Sequence, residues 1–341
     1  MWWVLHVDLD QFIAAVEVLR HPELAGKPVI VGGDGDPKKR SVVATASYEA
    51  REFGVHSGMP MRTAAARCPE AVFLASDPPA YDAASERVMA VLRAFPVVVE
   101  GLGWDEAFLG AETDDPAGLA GRIQDAVWRE TQLSCAVGIG DNKLRAKIAT
   151  GFAKPAGSYV LTRENWVAVM ADRPTRALWG IGPKTAHKLD DLGLRTVREL
   201  ALADPGALAS RFGPKMGPWY RELARGASGT EVTATPWLAK SRSREVTFQT
   251  NIADRGELST QVVSLARRVA DDVRDEARPA HRVGVKVRFA PFITQTRSMT
   301  LPEPTADPAV IESSALRVLD MFEHGRPVRL LGVWASFEPA D

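Results

Sequence analysis

The sequence predicts an α+β chain of several domains, and three patterns carry that prediction. Residues 1–162 alternate short β-rich runs with helical ones, as a mixed sheet with helices packed on it requires. Residues 163–230 hold short helices separated by Gly and Pro, with little strand signal. From residue 242 the order is strand, helix, strand, strand, helix, strand, which reads as a ferredoxin-like sandwich. A chain of 341 residues is too long for one ordinary core, so roughly two to four domains are expected.

In the first region, WVLHVDL, PVIVGG, SVVATAS, VVVEGLGW and SCAVGIG read as strands, being short, apolar and rich in β-branched residues. QFIAAVEVLR, SYEAREFG, AYDAASERVMAVLRAF, AGLAGRIQDAVWRE and NKLRAKIATGFA read as the helices that follow or separate them. Residues 231–241, EVTATPWLAKS, carry Thr, Pro and Lys without a helical period and read as an extended linker. In the last region, SREVTF, HRVGVKVRFA, TRSMTLP and RPVRLLGVWASF are strand-like, with GELSTQVVSLARRVADDVRDE and DPAVIESSALRVLDMFE as the two helices.

The composition, 45% hydrophobic and 25% charged, is that of a folded soluble protein. No apolar run approaches the ~18 residues needed to cross a bilayer, so no membrane association is expected. The opening MWWVLHVDLD is broken by acids before it could act as a signal-peptide core. Cys68 and Cys135 alone make neither a disulfide framework nor a zinc site, so a reducing cytoplasm is the expected location. Net charge is −1, which argues against a uniformly basic surface. From Arg163 to Arg225, however, 11 Lys and Arg face 7 Asp and Glu, a local excess of +4 that suits a phosphate-facing module.

HVDLDQFIAAVE places Asp8 and Asp10 in an otherwise apolar strand running into a helix. Two residues apart, both side chains share one face of an ideal strand; if the strand ends near Leu9, Asp10 instead starts the helix as an N-cap. GLGWDEAFL supplies adjacent Asp105 and Glu106 between apolar flanks, on a strand or tight hairpin. A cap or a turn is the plain alternative for each acid alone. Three carboxylates meeting at a sheet edge are unstable as bare anions, and become reasonable if they hold Mg²⁺ or Mn²⁺, hard cations that take oxygen ligands.

Tyr48 and Arg51 lie three apart, on one face of the helix after SVVATAS, with Thr45 just before them. A guanidinium fork and two hydroxyls there suit phosphate oxygens. GIGDNKLRAKIATGFAKPAG adds Lys143, Arg145, Lys147 and Lys154 on a helix that stops at Pro155, and Lys154 can present a point charge to a polyphosphate. Taken singly, each of these cations also reads as a solvated residue on an amphipathic helix.

VDLDQFIAAVE, ATASYEAREFGVHSGMP, WDEAFL, SCAVGIGDNKLRAKIATGFAKP and LWGIGPKTAHKLDDLGLRTVREL occur in this order across essentially the whole chain. Together they resemble the Y-family translesion DNA polymerases, in the DinB (DNA polymerase IV) branch. The resemblance implies a right-hand polymerase: a ferredoxin-like palm over residues 1–162 with fingers inserted at about 20–77, a helical thumb over 163–230, a linker at 231–241 and a little-finger domain over 242–341. It implies that Asp8, Asp105, Glu106 and the Leu9 carbonyl hold two divalent ions, Mg²⁺ or Mn²⁺. It also implies that Phe12, Ile13, Thr45, Tyr48, Arg51 and Lys154 line the nucleotide site, with primer-template DNA and dNTP as partners. The implied chemistry is two-metal nucleotidyl transfer to a primer 3′-hydroxyl, with positioning and charge stabilisation supplying most of the catalysis. A monomer, nucleoid-associated when on DNA, follows from the same resemblance.

LWGIGPKTAHKLDDLGL is a helix-hairpin-helix signature. Gly180 and Gly182 let backbone amides approach a phosphate, the following helix N-terminus favours an anion, and Lys184 and Lys188 add charge. In the last domain, Arg242 and Arg244 lead into the first strand. Arg282, Lys286 and Arg288 share one face of the second, opposite Val283, Val285, Val287 and Phe289. That cationic face is expected to contact the template backbone.

Two positions depart from the family pattern. The residue after Phe12 is an aromatic steric gate in most members and is Ile13 here. A smaller side chain without the flat ring relieves the clash with a ribose 2′-hydroxyl, so rNTP as well as dNTP is expected to be accepted. The chain ends SFEPAD with no Gln-led aromatic clamp motif, so sliding-clamp recruitment is doubtful and distributive synthesis is expected. With no proofreading motif, fidelity should be low. A non-catalytic DNA-binding paralogue would have lost the carboxylates, and a nucleotide cyclase on a palm-like fold would need no helix-hairpin-helix. Both readings are weaker than polymerase.

Overall fold

Val4, Leu5, Val7 and Leu9 are buried from both sides, and such a strand belongs at the centre of a sheet. It is β1 (Trp2–Leu9), followed by α1 (Phe12–Arg20), β2 (Val29–Val31), β3 (Thr45–Ala46), α2 (Tyr48–Glu52), α3 (Met61–Arg67), β4 (Val72–Leu74) and α4 (Pro78–Arg93). Then come β5 (Val98–Gly101), β6 (Glu106–Glu112), α5 (Pro116–Thr131), β7 (Cys135–Gly140), α6 (Lys143–Ala153) and β8 (Ser158–Leu161). Five helices follow, α7 (Trp166–Met170), α8 (Pro183–Asp190), α9 (Val197–Leu202), α10 (Pro205–Phe212) and α11 (Met216–Ala224). The chain closes with β9 (Ser241–Ile252), α12 (Arg255–Asp275), β10 (Ala280–Phe289), β11 (Ile293–Thr305), α13 (Pro308–Leu319) and β12 (Val328–Phe337). The computed structural model describes residues 1–323 and 325–338. Residues 339–341, the end of the SFEPAD tail on which the expectation about the sliding clamp rests, lie outside the described residues. No described helix is long and apolar enough to cross a membrane.

The contacts divide the chain into two compact units, residues 1–35, 43–57 and 67–236 in one, and 36–42, 58–66 and 237–341 in the other. The insert expected at 20–77 is therefore shared between them. In the second unit Arg40 donates from Nη1 to the Phe248 carbonyl at 3.0 Å and to Asn251 Oδ1 at 2.6 Å, both on β9.

The first unit is built on a five-stranded sheet in the order β5-β6-β1-β7-β8, in which only β7 and β8 run parallel. Without β8 this is the ferredoxin order, with the first and third strands of βαββαβ at the centre. Leu5, Val7 and Leu9 of β1 and Ala107, Leu109 and Ala111 of β6 face α4 and α5, where Val88, Leu92, Ile123 and Val127 complete the core. The alternate residues, His6 and Asp8 on β1 and Glu106 and Phe108 on β6, face the other side, where α6 packs. A small second sheet, β3-β2-β4, carries the segment leading into α2.

Close packing of α6 on the sheet depends on two glycines. A Cβ on Gly138 would stand 1.9 Å from the Ala146 carbonyl oxygen and 2.4 Å from the Thr150 amide, and one on Gly140 would stand 2.5 Å from the Ala146 amide. Backbone atoms cannot yield as a flexible side chain can, so only glycine permits this approach.

In the second unit, α12 and α13 cover one face of an antiparallel sheet in the order β11-β10-β12-β9. The element order is the one expected, but the strand order is not that of a ferredoxin sandwich, since the second and fourth strands are central and the first is at an edge. The sequence of β9 explains the difference: SRSRE at its start is exposed and charged, which suits an edge and would be costly at the centre. The strands with continuous inward apolar sets, Val283, Val285 and Val287 on β10 and Leu331, Val333 and Ala335 on β12, take the middle. The Trp334 indole lies across Gly284, leaving no space for a Cβ.

Gly138→Ala is expected to lower stability by about 3 kcal/mol or to prevent folding, because helix and sheet must separate. Gly121→Ala, mid-way along α5 with nothing within 4 Å of the added carbon, should be neutral or stabilise by up to about 1 kcal/mol. Denaturant unfolding of the two variants checks the pair.

Candidate functional site

The end of β1 gathers the acids. Asp8 is paired across the ladder with Glu106, and the Leu9 amide donates to the Asp105 carbonyl at 2.9 Å, so all three carboxylates issue from neighbouring strand ends. His6, on the same face of β1, brings its Nε2 to 3.3 Å from Glu106 Oε2 and its Nδ1 to 2.9 Å from Thr150 Oγ1. Donor atoms of His6, Asp8 and Glu106 lie within 4.8 Å of one another.

Two lysines of the α6 segment reach into this cluster. Lys154 Nζ donates to Asp8 Oδ1 at 2.5 Å and to the Leu9 carbonyl oxygen at 3.2 Å. Lys147 pairs with Glu106 Oε2, and its Nζ is 3.1 Å from His6 Nε2. The electrostatics follow from this crowding. Burial, then the neighbouring charges of Asp8 and Glu106, pushes the Asp105 carboxyl up, while the His6 imidazole and the Lys147 ammonium hold Glu106 down at about 2. Burial lowers the His6 pKa.

This donor set fits a hard divalent cation. Asp8, Glu106 and the Leu9 carbonyl offer oxygen donors with the His6 nitrogen among them, and a cationic ammonium already sits on Asp8 and the Leu9 carbonyl. Asp105 lies outside the set of donors within 4.8 Å of one another but feels the charges of Asp8 and Glu106. His6 lies within the cluster although it had no expected role, and the signal was in the sequence: it shares parity with Asp8 on β1. Lys147, read only as one of several helix cations, belongs to the site as well.

Asp10 has a different part. It is 3% exposed and accepts from Tyr48 Oη at 2.7 Å, Ser134 Oγ at 2.9 Å and the Ala156 amide at 2.9 Å. It does not cap α1: the N-cap residue is Gln11, at φ 43°, without a side-chain cap. Instead Gln11 Oε1 accepts from the Tyr48 amide, so the turn after β1 ties α2 to the strand.

The expected phosphate ligands gather beside this turn. The Tyr48 hydroxyl is engaged by Asp10, and burial, together with that carboxylate, raises its pKa. Arg51 uses Nε to hold the Ala46 carbonyl at 2.9 Å and lies over the Tyr48 ring at 5.0 Å, with the guanidinium on the exposed side. Thr45 is half-buried on β3. Phe12 is buried in the core, and Ile13 on α1 is half-buried, packed against that core.

Gly180 takes φ +99°, a conformation that favours glycine, and Gly182 is the N-cap residue of α8. Lys184 and Lys188 on α8 are exposed. In the second unit, Arg282, Lys286 and Arg288 do lie on the sheet face away from α12 and α13, where Lys286 pairs with Glu245 at 2.7 Å and Arg288 Nε donates to Thr294 Oγ1 at 2.8 Å. Arg242 and Arg244 do not join them. They lie on the helix-bearing side and pair with Glu276 and Asp272 at the end of α12. They share parity with the inward Val246 and Phe248, which puts them on that face.

Residues 7–151 match the impB/mucB/samB family, and residues 239–337 match the C-terminal domain of that family. A protein described as DNA polymerase IV 2 from Mycobacterium tuberculosis is 55% identical over 335 residues, spanning 97% of this chain and 96% of that one. DNA polymerase IV of Methanoculleus marisnigri is 42% identical over 340 residues, spanning 98% and 93%. Among solved structures, a Y-family DNA polymerase chimera of Dbh and Dpo4 superposes with a TM-score of 0.86 at 25% identity, covering 98% of each chain.

Asp10→Ala is expected to destabilise the protein by about 2 kcal/mol, since it takes the acceptor from a phenol, a hydroxyl and an amide that are only partly open to water. Ser134→Ala, which removes one of those bonds and leaves the carboxylate two others, should cost about 1 kcal/mol. Urea titration measures both, and equal small losses would show that Asp10 is not the tie described.

Proposed function

The chain belongs to the impB/mucB/samB family, the Y-family DNA polymerases, and from that premise we propose that it extends a DNA primer on a template by two-metal nucleotidyl transfer, admitting ribonucleotides as well as deoxyribonucleotides. The observation that carries the catalytic part is the meeting of Asp8, Asp105 and Glu106 at adjoining strand ends, with an ammonium on Asp8 and the Leu9 carbonyl.

Asp8, the Leu9 carbonyl, Asp105 and Glu106 would hold the two cations, Mg²⁺ or Mn²⁺. When bound, such ions lower the pKa of a primer 3′-hydroxyl and stabilise the departing pyrophosphate. The chain's own residues do the positioning. Lys154, released from Asp8, turns its charge to the triphosphate, and the exposed guanidinium of Arg51 grips phosphate oxygens beside Thr45 and Tyr48. Asp10 keeps the Tyr48 phenol in place under that triphosphate. Lys147 and His6 hold the Glu106 carboxylate in one orientation.

DNA contact is assigned to the Gly180–Gly182 hairpin with Lys184 and Lys188, and to the open sheet face bearing Arg282, Lys286 and Arg288. Arg242 and Arg244 are left out, because they lie on the helix-bearing side of the sheet, against Glu276 and Asp272, and not on the open face. Ile13 supports the sugar reading: a half-buried aliphatic side chain on α1 offers no flat ring to oppose a 2′-hydroxyl.

Asp105→Ala should abolish primer extension while unfolding normally, and chelation of divalent ions should do the same to the unmodified protein. Retained extension in either case would defeat the catalytic assignment. In single-nucleotide incorporation, Ile13→Phe is expected to raise the preference for dNTP over rNTP by about 100-fold, the scale at which filling a pocket discriminates between substrates. An unmodified enzyme that prefers dNTP by more than about 10⁴-fold, unchanged by Ile13→Phe, would overturn the sugar reading.

A further inference from the structure

Beside Asp8, α6 and the turn formed by residues 175–179 enclose an open cleft of about 390 Å³. Of the groups assigned to the triphosphate only Lys154 lines it; Thr45, Tyr48 and Arg51 do not. Asp8 lines one end, Lys147, Lys154 and Arg176 supply positive charge, and Trp179 forms a side wall.

The turn is built to present two residues. Thr175 and Leu178 are buried, and the Thr175 amide donates to the Arg195 carbonyl at 2.9 Å, which pins the backbone. Between and beside these anchors, Arg176 and Trp179 project outward. Lys147 and Lys154 are committed to Glu106 and Asp8, whereas Arg176 has no ion pair or side-chain hydrogen bond among the described residues. Trp179 is 46% exposed although it meets Phe108 edge-on at 6.3 Å and carries the Lys147 ammonium over its ring at 5.5 Å.

An uncommitted guanidinium, a flat indole and the Asp8 carboxylate in one cleft call for a ligand with three properties. It is anionic, it has a sugar or base that packs on an aromatic surface, and it delivers a reacting group to Asp8. Arg51, Tyr48 and Thr45 receive the triphosphate from outside the cleft and Lys154 reaches it from beside Asp8, so the reactant left for Arg176 and Trp179 is the 3′ end of the primer. We infer that Arg176 grips one of the last three phosphodiesters of the primer strand and that Trp179 packs on the adjoining sugar, together positioning the 3′-hydroxyl at Asp8. This rests on the polymerase reading above.

The test uses primers in which a neutral methylphosphonate replaces each of the last three phosphodiesters in turn, annealed to one template, with binding followed by fluorescence anisotropy and chemistry by single-turnover extension. One of the three replacements is expected to weaken binding to the unmodified protein by about 10-fold, the loss typical of a charge-assisted hydrogen bond. In Arg176→Ala that replacement should have no further effect, the dependence of log affinity on log salt should flatten by about 1, and KM for the nucleotide should stay the same. Arg176→Lys should recover part of the affinity, and Trp179→Ala should weaken primer binding where Trp179→Phe does not. Melting curves exclude unfolding as the cause.

Effects of Arg176→Ala and of every methylphosphonate that simply multiply would overturn the inference, as would a raised nucleotide KM with unchanged primer binding. A wild-type protein that extends no primer would instead defeat the polymerase reading itself.

Discussion

Crowding of like charge at the end of β1 is the constraint around which the first unit is arranged. Asp8 and Glu106 present oxygens within 4.8 Å of each other, a repulsion of about 3 kcal/mol at an effective dielectric of about 20. Asp105 adds a third carboxyl from the residue before β6, pushed up by burial and by its two neighbours. Such a cluster is tolerable only where cations reach it, and α6 supplies them: Lys147 and Lys154 are seven residues apart, two turns of helix, and so lie on one side of it. Both can reach because Gly138 and Gly140 let α6 settle directly on the sheet. A methyl group at either position would move the helix and with it the countercharge. The two glycines of an unremarkable strand are thus as much a part of the site as the acids.

Two aspartates with the same chemistry, two residues apart, have been given opposite tasks by the bend between them. Asp8 is still on the strand and faces the cleft, half-exposed and paired with an ammonium that a metal ion can displace. Asp10 lies past the end of the strand, buried, and its two oxygens are filled by three donors. The αL conformation of Gln11 makes the turn, and its side chain secures the backbone of α2. The first acid is available to a ligand because the second fixes the surroundings.

Much of this was legible in the sequence, and what was not has physical reasons. Local patterns identified nearly every long element, since periodicity is a property of neighbouring residues. The hairpin glycines and the face shared by Arg282, Lys286 and Arg288 followed from backbone conformation and strand parity. The strand order of the second unit was missed because element order does not specify it, although the charged start of β9 argued for an edge. Arg242 and Arg244 stand apart from the face of Arg282, Lys286 and Arg288, as their parity with Val246 and Phe248 on the helix side already implied. The His6–Thr150 and Tyr48–Asp10 bonds could not be read without the pairing of distant segments, although the parity of His6 with Asp8 was in the sequence.

In the proposed function, sugar selection and bond formation fall to separate parts of this architecture. Ile13 sits on α1, half-buried and packed against the core shared with α4. It makes no polar contact with Asp8, Asp10 or either lysine, because it has no polar atom to offer. A change in ring or branch at that position alters the space above α1 and leaves the charges of the carboxylate cluster as they are. The carboxylates, by contrast, are tied through Lys147, Lys154 and His6 to α6, so any change there alters several interactions at once. On the proposed sugar reading, a single substitution on α1 would shift the choice between ribose and deoxyribose, whereas a substitution among the carboxylates would disturb the Lys147, Lys154 and His6 contacts together.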